Sequence, residues 1–152
     1  MTDSKGHPFD AKMLAGSVWI LDFIYTNCPA ECPLMTSKMH RIAEQVQGED
    51  NLGLLSISVD PDRDTPPVLS AFAQRYGGAT AQWHFLTGNP STVHLLAYTT
   101  FHVGDIIGKM DHGTYFILVD KQREIRGYYS SFDSDSMKSV LRDANALRNA
   151  HA

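Results

Sequence analysis

The sequence predicts an α/β fold in which a central mixed sheet is flanked by helices and followed by a terminal antiparallel hairpin and a last helix. Three observations carry this. Apolar runs rich in strand formers alternate with segments of helical period through most of the chain, the pattern of β-α-β units. Near the C-terminus two further runs stand back to back across a short polar link, which reads as a hairpin. The chain has 152 residues, 43% hydrophobic and 20% charged, enough for one ordinary core, so residues 1–152 read as a single domain.

The first strand is the nearly unbroken apolar run Val18 to Tyr25, whose continuity implies cover on both faces. It ends at Thr26-Asn27-Cys28-Pro29-Ala30-Glu31-Cys32-Pro33. A helix is predicted from about Pro33 to Gln47, with Leu34, Met35, Met39, Ile42, Ala43 and Val46 at helical spacing and Gly48 as the stop. Leu52 to Val59 is the second strand. Thr65-Pro66 then reads as an N-cap with proline at the first helical position, opening a helix to about Tyr76 that halts at Gly77-Gly78. Trp83 to Leu86 is a short third strand. Asn89-Pro90 starts a helix predicted to end near Thr100. Residues Phe101 to Asp111, with Gly104 and Gly108, show no period and read as a loop. Thr114 to Asp120 and Glu124 to Tyr129 form the hairpin, joined by Lys121-Gln122-Arg123, and the last helix spans about Ser134 to Arg148. The order β-α-β-α-β-α-β-β-α is the plan of the thioredoxin-like fold.

Charge and hydropathy narrow the function. A net charge of −4 is spread along the chain without a basic stripe, which argues against nucleic acid as a partner. No stretch approaches the roughly 18 to 20 apolar residues that cross a bilayer. Met1 to Gly6 lacks the apolar stretch of a signal peptide. The chain therefore reads as the soluble part of a longer protein from which an N-terminal anchor is missing.

Only two cysteines occur, and Cys28 and Cys32 are close neighbours in sequence. A disulfide between them closes a tiny loop and adds little stability, so the pair suits chemistry better than structure. They stand where a strand hands over to a helix, and the positive end of a helix stabilises a thiolate. Pro29, Ala30 and Glu31 separate them, one residue more than in thioredoxin-type redox centres, which lets the sulfurs splay enough to share a metal. Thiolates select soft metals such as Cu(I), while a structural zinc site wants four protein ligands. One imidazole completes a trigonal copper site. The plainer reading, two small buried apolar residues, is opposed by the proline after each cysteine and by the helix start.

Seven histidines compete for the third position. His7 and His151 lie near the ends, His40 lies two turns along the first helix, and His84 and His94 sit in or beside elements. His102 and His112 share the glycine-containing loop, and His112 stands just before the hairpin. On the residues alone, both remain open.

The acidic run Asp60, Asp62, Asp64 mimics the opening of a calcium loop, but Thr65 stands where glycine is required and Ala71 where a bidentate Glu belongs. It reads as a capped turn whose charges favour the next helix start. The competing reading has Asp60 or Asp64 bordering the metal site. Met35 and Met39, one helical turn apart, read as core rather than as thioether ligands.

The chain resembles the Sco/SenC family of copper proteins. The resemblance rests on Asp22-Phe23-Ile24-Tyr25-Thr26-Asn27-Cys28-Pro29-Ala30-Glu31-Cys32-Pro33, on Ser58-Val59-Asp60-Pro61-Asp62-Arg63-Asp64-Thr65-Pro66, and on Leu86-Thr87-Gly88. Asp111-His112-Gly113-Thr114-Tyr115 followed by Leu118-Val119-Asp120 completes it, and the blocks run in the family's order from about Gly16 to Arg148. It implies copper, as Cu(I) or Cu(II), held by Cys28, Cys32 and His112. It also implies delivery of copper to the binuclear centre of cytochrome c oxidase subunit II, or reduction of that centre's cysteines with Cys28 and Cys32 as the catalytic redox pair.

Implied partners are subunit II and other copper chaperones or thiol reductants. The implied location is the periplasmic side of a bacterial inner membrane, or the mitochondrial intermembrane space, for an anchored and monomeric protein. Gly113 departs from the family's usual serine, the 101–111 loop is short, and the N-terminal hairpin is curtailed. A peroxiredoxin-like peroxidase shares the fold but needs a Thr and an Arg around its nucleophile, a motif unlike this one.

Overall fold

The computed structural model describes residues 1–27, 31–78, 80, 82–96, 115–133 and 135–150, and within these all side chains but those of residues 11 and 31–33. The elements are β1 (Thr2–Asp3), β2 (Val18–Ile24), α1 (Glu31–Val46), β3 (Leu52–Ser58), α2 (Pro66–Arg75), β4 (Trp83–Thr87), α3 (Pro90–His94), β5 (Tyr115–Val119), β6 (Ile125–Ser130) and α4 (Ser136–Asn149). A short 3-10 turn spans Ala11–Leu14.

Among the described residues the strands form one six-stranded mixed sheet in the order β1-β4-β3-β2-β5-β6. The β2–β3 and β3–β4 pairs are parallel, whereas β5 runs antiparallel to both β2 and β6. The central strands β2 and β3 are buried along their whole length, as their continuous apolar sequences predict. Alternation along β2 sends Val18, Ile20 and Ile24 to one face, against Met35, Met39 and Ile42 of α1, Leu69 and Phe72 of α2, and Val140 and Ala144 of α4. Trp19, Leu21 and Phe23 face the other way, with Phe9, Leu55, Ile57 and Val119. Met35 and Met39 are core residues, as their spacing predicts.

Two features differ from the sequence reading. The edge strand β1 was not expected. Thr2 pairs with Thr87 and Asp3 with Leu86, and the Asp3 carboxylate accepts the N–H groups of Lys5 and His7, both at 2.9 Å. A strand this short carries no periodic signal. Thr65 and Pro66 do open α2, but the Thr65 hydroxyl makes no capping bond. Pro67 at the second helical position has no N–H to donate, which leaves the Val68 N–H as the one donor a cap could use. α3 starts as predicted, capped by Asn89, whose side chain accepts from Ser91 N at 2.8 Å, and helical backbone continues past His94 through Leu96. The predicted continuation to Thr100 and the predicted 101–111 loop lie outside the described residues.

Gly53 shows how tightly β2 and β3 pack. A Cβ at this position would lie 2.4 Å from Trp19 Cζ3. The Trp19 indole cannot easily yield, because it is buried and its Nε1–H donates to Leu14 O at 3.0 Å. Gly53→Ala is expected to cost about 1–3 kcal/mol through overpacking. Urea unfolding followed by tryptophan fluorescence measures it, and an unchanged midpoint would refute the wedge.

Candidate metal centre

The chain leaves β2 at Ile24, and α1 takes it up at Glu31. Cys28 therefore belongs to the strand-to-helix connection and Cys32 to the first turn of α1, where the sequence reading places them. The side chain of Cys32, the whole of Cys28, and residues 97–114 with His102 and His112 lie outside the described residues.

The backbone around them fixes one end of the sheet. β2 runs parallel to β3 with Ile24 opposite Ser58, and antiparallel to β5 with Leu21 opposite Ile117. The exit of β2 toward Cys28, the end of β3 and the entry of β5 at Tyr115, soon after His112 in sequence, thus lie at the same sheet end.

At that end stands a hydrogen-bonded cluster around Asp64, a residue the sequence reading left open between a capped turn and a border of the metal site. Asp64 is fully buried. Thr26 Oγ1 donates to Asp64 Oδ1 at 2.5 Å, Thr26 N–H donates to Oδ2 at 3.1 Å, and Ser58 Oγ donates to Oδ2 at 2.6 Å. The turn before α2 is closed by the N–H groups of Arg63 and Asp64 donating to Asp60 O, at 3.1 and 2.9 Å. Asp60 N–H donates to Ser58 Oγ at 3.1 Å. The acidic run is thus divided: Asp62 is solvent-exposed, whereas the Asp64 carboxylate is buried and bonded to Thr26 after β2 and to Ser58 at the end of β3.

A second buried carboxylate lies in β2 itself. Ser56 Oγ donates to Asp22 Oδ1 at 2.5 Å and in turn accepts Trp83 Nε1–H at 3.0 Å, so the network crosses three strands. Oδ2 of Asp22 is buried with no hydrogen-bond partner. Burial pushes the Asp22 carboxyl up to about 7, against the opposing pull of the Ser56 hydroxyl and its own backbone N–H. The signal was present in the sequence as a lone Asp inside an apolar run.

Other histidines are committed elsewhere. His40 Nε2 lies 2.6 Å from Glu44 Oε1 on α1. His84 is stacked between Phe9 and Trp19, with ring centroids 5.3 and 5.8 Å away, and burial holds its pKa below the ordinary histidine value.

The SCO1/SenC family profile matches residues 1–146. The chain belongs to the SCO1/SenC family. The SCO1 protein homolog of Bacillus subtilis is 30% identical over 152 residues, covering 95% of this chain and 78% of that protein. Among solved structures, a SCO1/SenC family lipoprotein from Bacillus anthracis is 33% identical with a TM-score of 0.84, over 96% of this chain and 90% of that one. BsSco, described as a member of the Sco family of cytochrome c oxidase assembly proteins with a disulfide switch, is 28% identical with a TM-score of 0.85, over 99% and 91%. Yeast Sco1, solved with copper bound, is 23% identical with a TM-score of 0.77, over 99% and 90%, and supports the fold. The thioredoxin-like architecture is thus that of the Sco structures. Among the described residues, no helix is long and apolar enough to cross a membrane.

Proposed function

We propose that this SCO1/SenC chain is a copper-binding metallochaperone for assembly of the binuclear copper centre of cytochrome c oxidase subunit II, with Cys28, Cys32 and His112 as ligands. The observation that carries the reading is the CxxxC pair at the junction of β2 and α1, with Cys32 in the first helical turn. The donor set suits copper, since two thiolates and an imidazole favour a soft ion. Free N–H groups in the first turn of α1 favour the thiolate form that binds metal. When bound, copper supplies the cargo that is handed to the partner. The chain's own part in this reading is to hold two sulfurs from the stretch between β2 and α1 and one imidazole nitrogen from the stretch before β5. In this reading the protein works as a monomer, anchored by a preceding segment at the periplasmic face of a bacterial inner membrane. Kinship to a lipoprotein supports such anchoring.

Anaerobic titration with Cu(I) and Cu(II) tests the ligand set. His112→Ala is expected to weaken binding by about a hundredfold, roughly 2.7 kcal/mol, while the dithiol stays reducible. His102→Ala is expected to leave affinity unchanged. Equal affinities for the parent and His112→Ala would sink the assignment.

A second reading, a thiol–disulfide oxidoreductase, draws support from the disulfide switch described for BsSco. Here the Cys28–Cys32 dithiol gives two electrons and two protons to a disulfide of the partner and becomes a disulfide itself. Copper-free reduction of an oxidised subunit II fragment above background would favour it.

A further inference from the structure

We infer that Asp64 is a positioning residue for the cysteine pair, acting through Thr26. The inference rests on Cys28 and Cys32 being the working pair.

Burying a carboxylate is costly unless its oxygens are well bonded, and hydrogen bonds to an ionised acceptor are the strong ones. Asp64 is fully buried, and each of its oxygens accepts a hydrogen bond from Thr26, which stands just ahead of Cys28. The hydroxyl binds Oδ1 at 2.5 Å and the N–H binds Oδ2 at 3.1 Å. Held at both its backbone and its side chain, Thr26 cannot turn or slide without breaking a charged hydrogen bond.

The other side of the clamp is rigid. Ser58 Oγ, at the end of β3, donates to Oδ2 at 2.6 Å, and Asp64 N–H is fixed to Asp60 O at 2.9 Å. The Val59 N–H also donates to Ile24 O at 2.8 Å, binding the exits of β2 and β3 together. The loop toward Cys28 therefore starts from a point that the sheet and the turn before α2 hold in place. A carboxylate placed only to favour α2 has no need of these bonds, and all three side-chain bonds described for Asp64 run to Thr26 and Ser58.

Thr26→Val removes the hydroxyl donor at nearly constant shape, Thr26→Ser restores it, and Asp64→Asn removes the charge. Two equilibria are read. One is copper-free: the Cys28–Cys32 disulfide plus two glutathione in exchange for the dithiol plus glutathione disulfide. The other is Cu(I) affinity by chelator competition.

Thr26→Val and Asp64→Asn are each expected to shift both constants by about tenfold, the lower end of effects seen for groups that orient metal ligands. Thr26→Ser is expected to stay within about twofold of the parent. Because the two residues share one interaction, the double variant should shift no further than Asp64→Asn alone. The control is Asp120→Asn, a buried carboxylate at the opposite end of the sheet, where it accepts the N–H groups of Gln122 and Glu124. It should lower the unfolding temperature and leave both equilibria in place. Shifts that Thr26→Ser fails to restore, or a Thr26→Val that moves only the unfolding temperature, would overturn the inference. If the parent binds no copper, the copper reading falls and the glutathione equilibrium still decides the role of Asp64.

Discussion

Between about pH 4 and pH 7, Asp22 is expected to cost the folded protein on the order of 4 kcal/mol, and Asp22→Asn is expected to abolish that loss. The cause is the environment of one carboxyl. Asp22 is fully buried in β2, with Oδ1 bonded to Ser56 and Oδ2 without a partner. Burial raises its pKa from 3.8 to about 7. An unfolded chain releases this proton near pH 4, whereas the folded chain keeps it until about pH 7. In between, the folded state binds more protons, so its stability is full below the unfolded value and falls as pH rises through the folded one. Each unit of difference is worth about 1.4 kcal/mol, which over roughly three units gives the stated figure. Asp120 and Asp143 titrate the other way. At Asp120, burial is outweighed by bonds from the Glu124 N–H, Arg126 and the Gln122 N–H, and the Tyr129 hydroxyl holds Asp143 down. Both slopes are common to the parent and the variant. Urea unfolding from pH 3.5 to 8 on the two proteins therefore isolates Asp22 as the difference between the curves. Parallel curves would show that the Asp22 carboxyl ionises near its ordinary value.

The same residue marks the limit of what the sequence discloses. The central strands, α1, α2, the hairpin and the last helix were legible because each has a period, a cap or a glycine stop. Asp22 stood in view within the first strand, and a strand buried on both faces leaves a polar side chain nowhere to go but inward. What could not be read was its partner, because Ser56 lies on another strand and the register that aligns the two is a property of the sheet. Asp64 is the stronger case. Local spacing left it open between a helix-start charge and a border of the metal site, and its partner, Thr26, is brought to it by the parallel β2–β3 pairing. At the candidate centre, position and spacing single out the cysteine pair in the sequence. The choice of His112 over His102 came from family resemblance, since two histidines in one loop give spacing nothing to discriminate.

Phe116→Ala is expected to destabilise the protein by about 3–5 kcal/mol, the range for removing a fully buried aromatic ring. Phe116 lies on β5 with no exposed surface, in the same cluster as Ile20 and Ile24 of β2, Met35 and Met39 of α1, and Val140 of α4. Elements on both sides are pinned. β5 is paired to β2 and β6, with Phe116 opposite Tyr129, and the Tyr129 hydroxyl donates to Asp143 of α4 at 2.5 Å. Lys38 of α1 donates to Ser131 O just beyond β6. Such a frame collapses poorly around a void, which puts the cost at the upper part of the range.

The β2–β5 register adds a second, sharper consequence. Continued one step beyond the Leu21–Ile117 pair, that register sets Asp22 opposite Phe116, and alternation puts Asp22 on the Ile20 and Ile24 face that also buries Phe116. A cavity left by the ring is expected to open on the face that also carries Asp22, and a cavity with a polar edge admits water. Water there lowers the desolvation that raises the Asp22 pKa, so Phe116→Ala should lose stability at every pH and also flatten the decline between about pH 4 and pH 7. A variant that is destabilised but keeps the parent's slope would show that another group than the Phe116 ring keeps Asp22 dry.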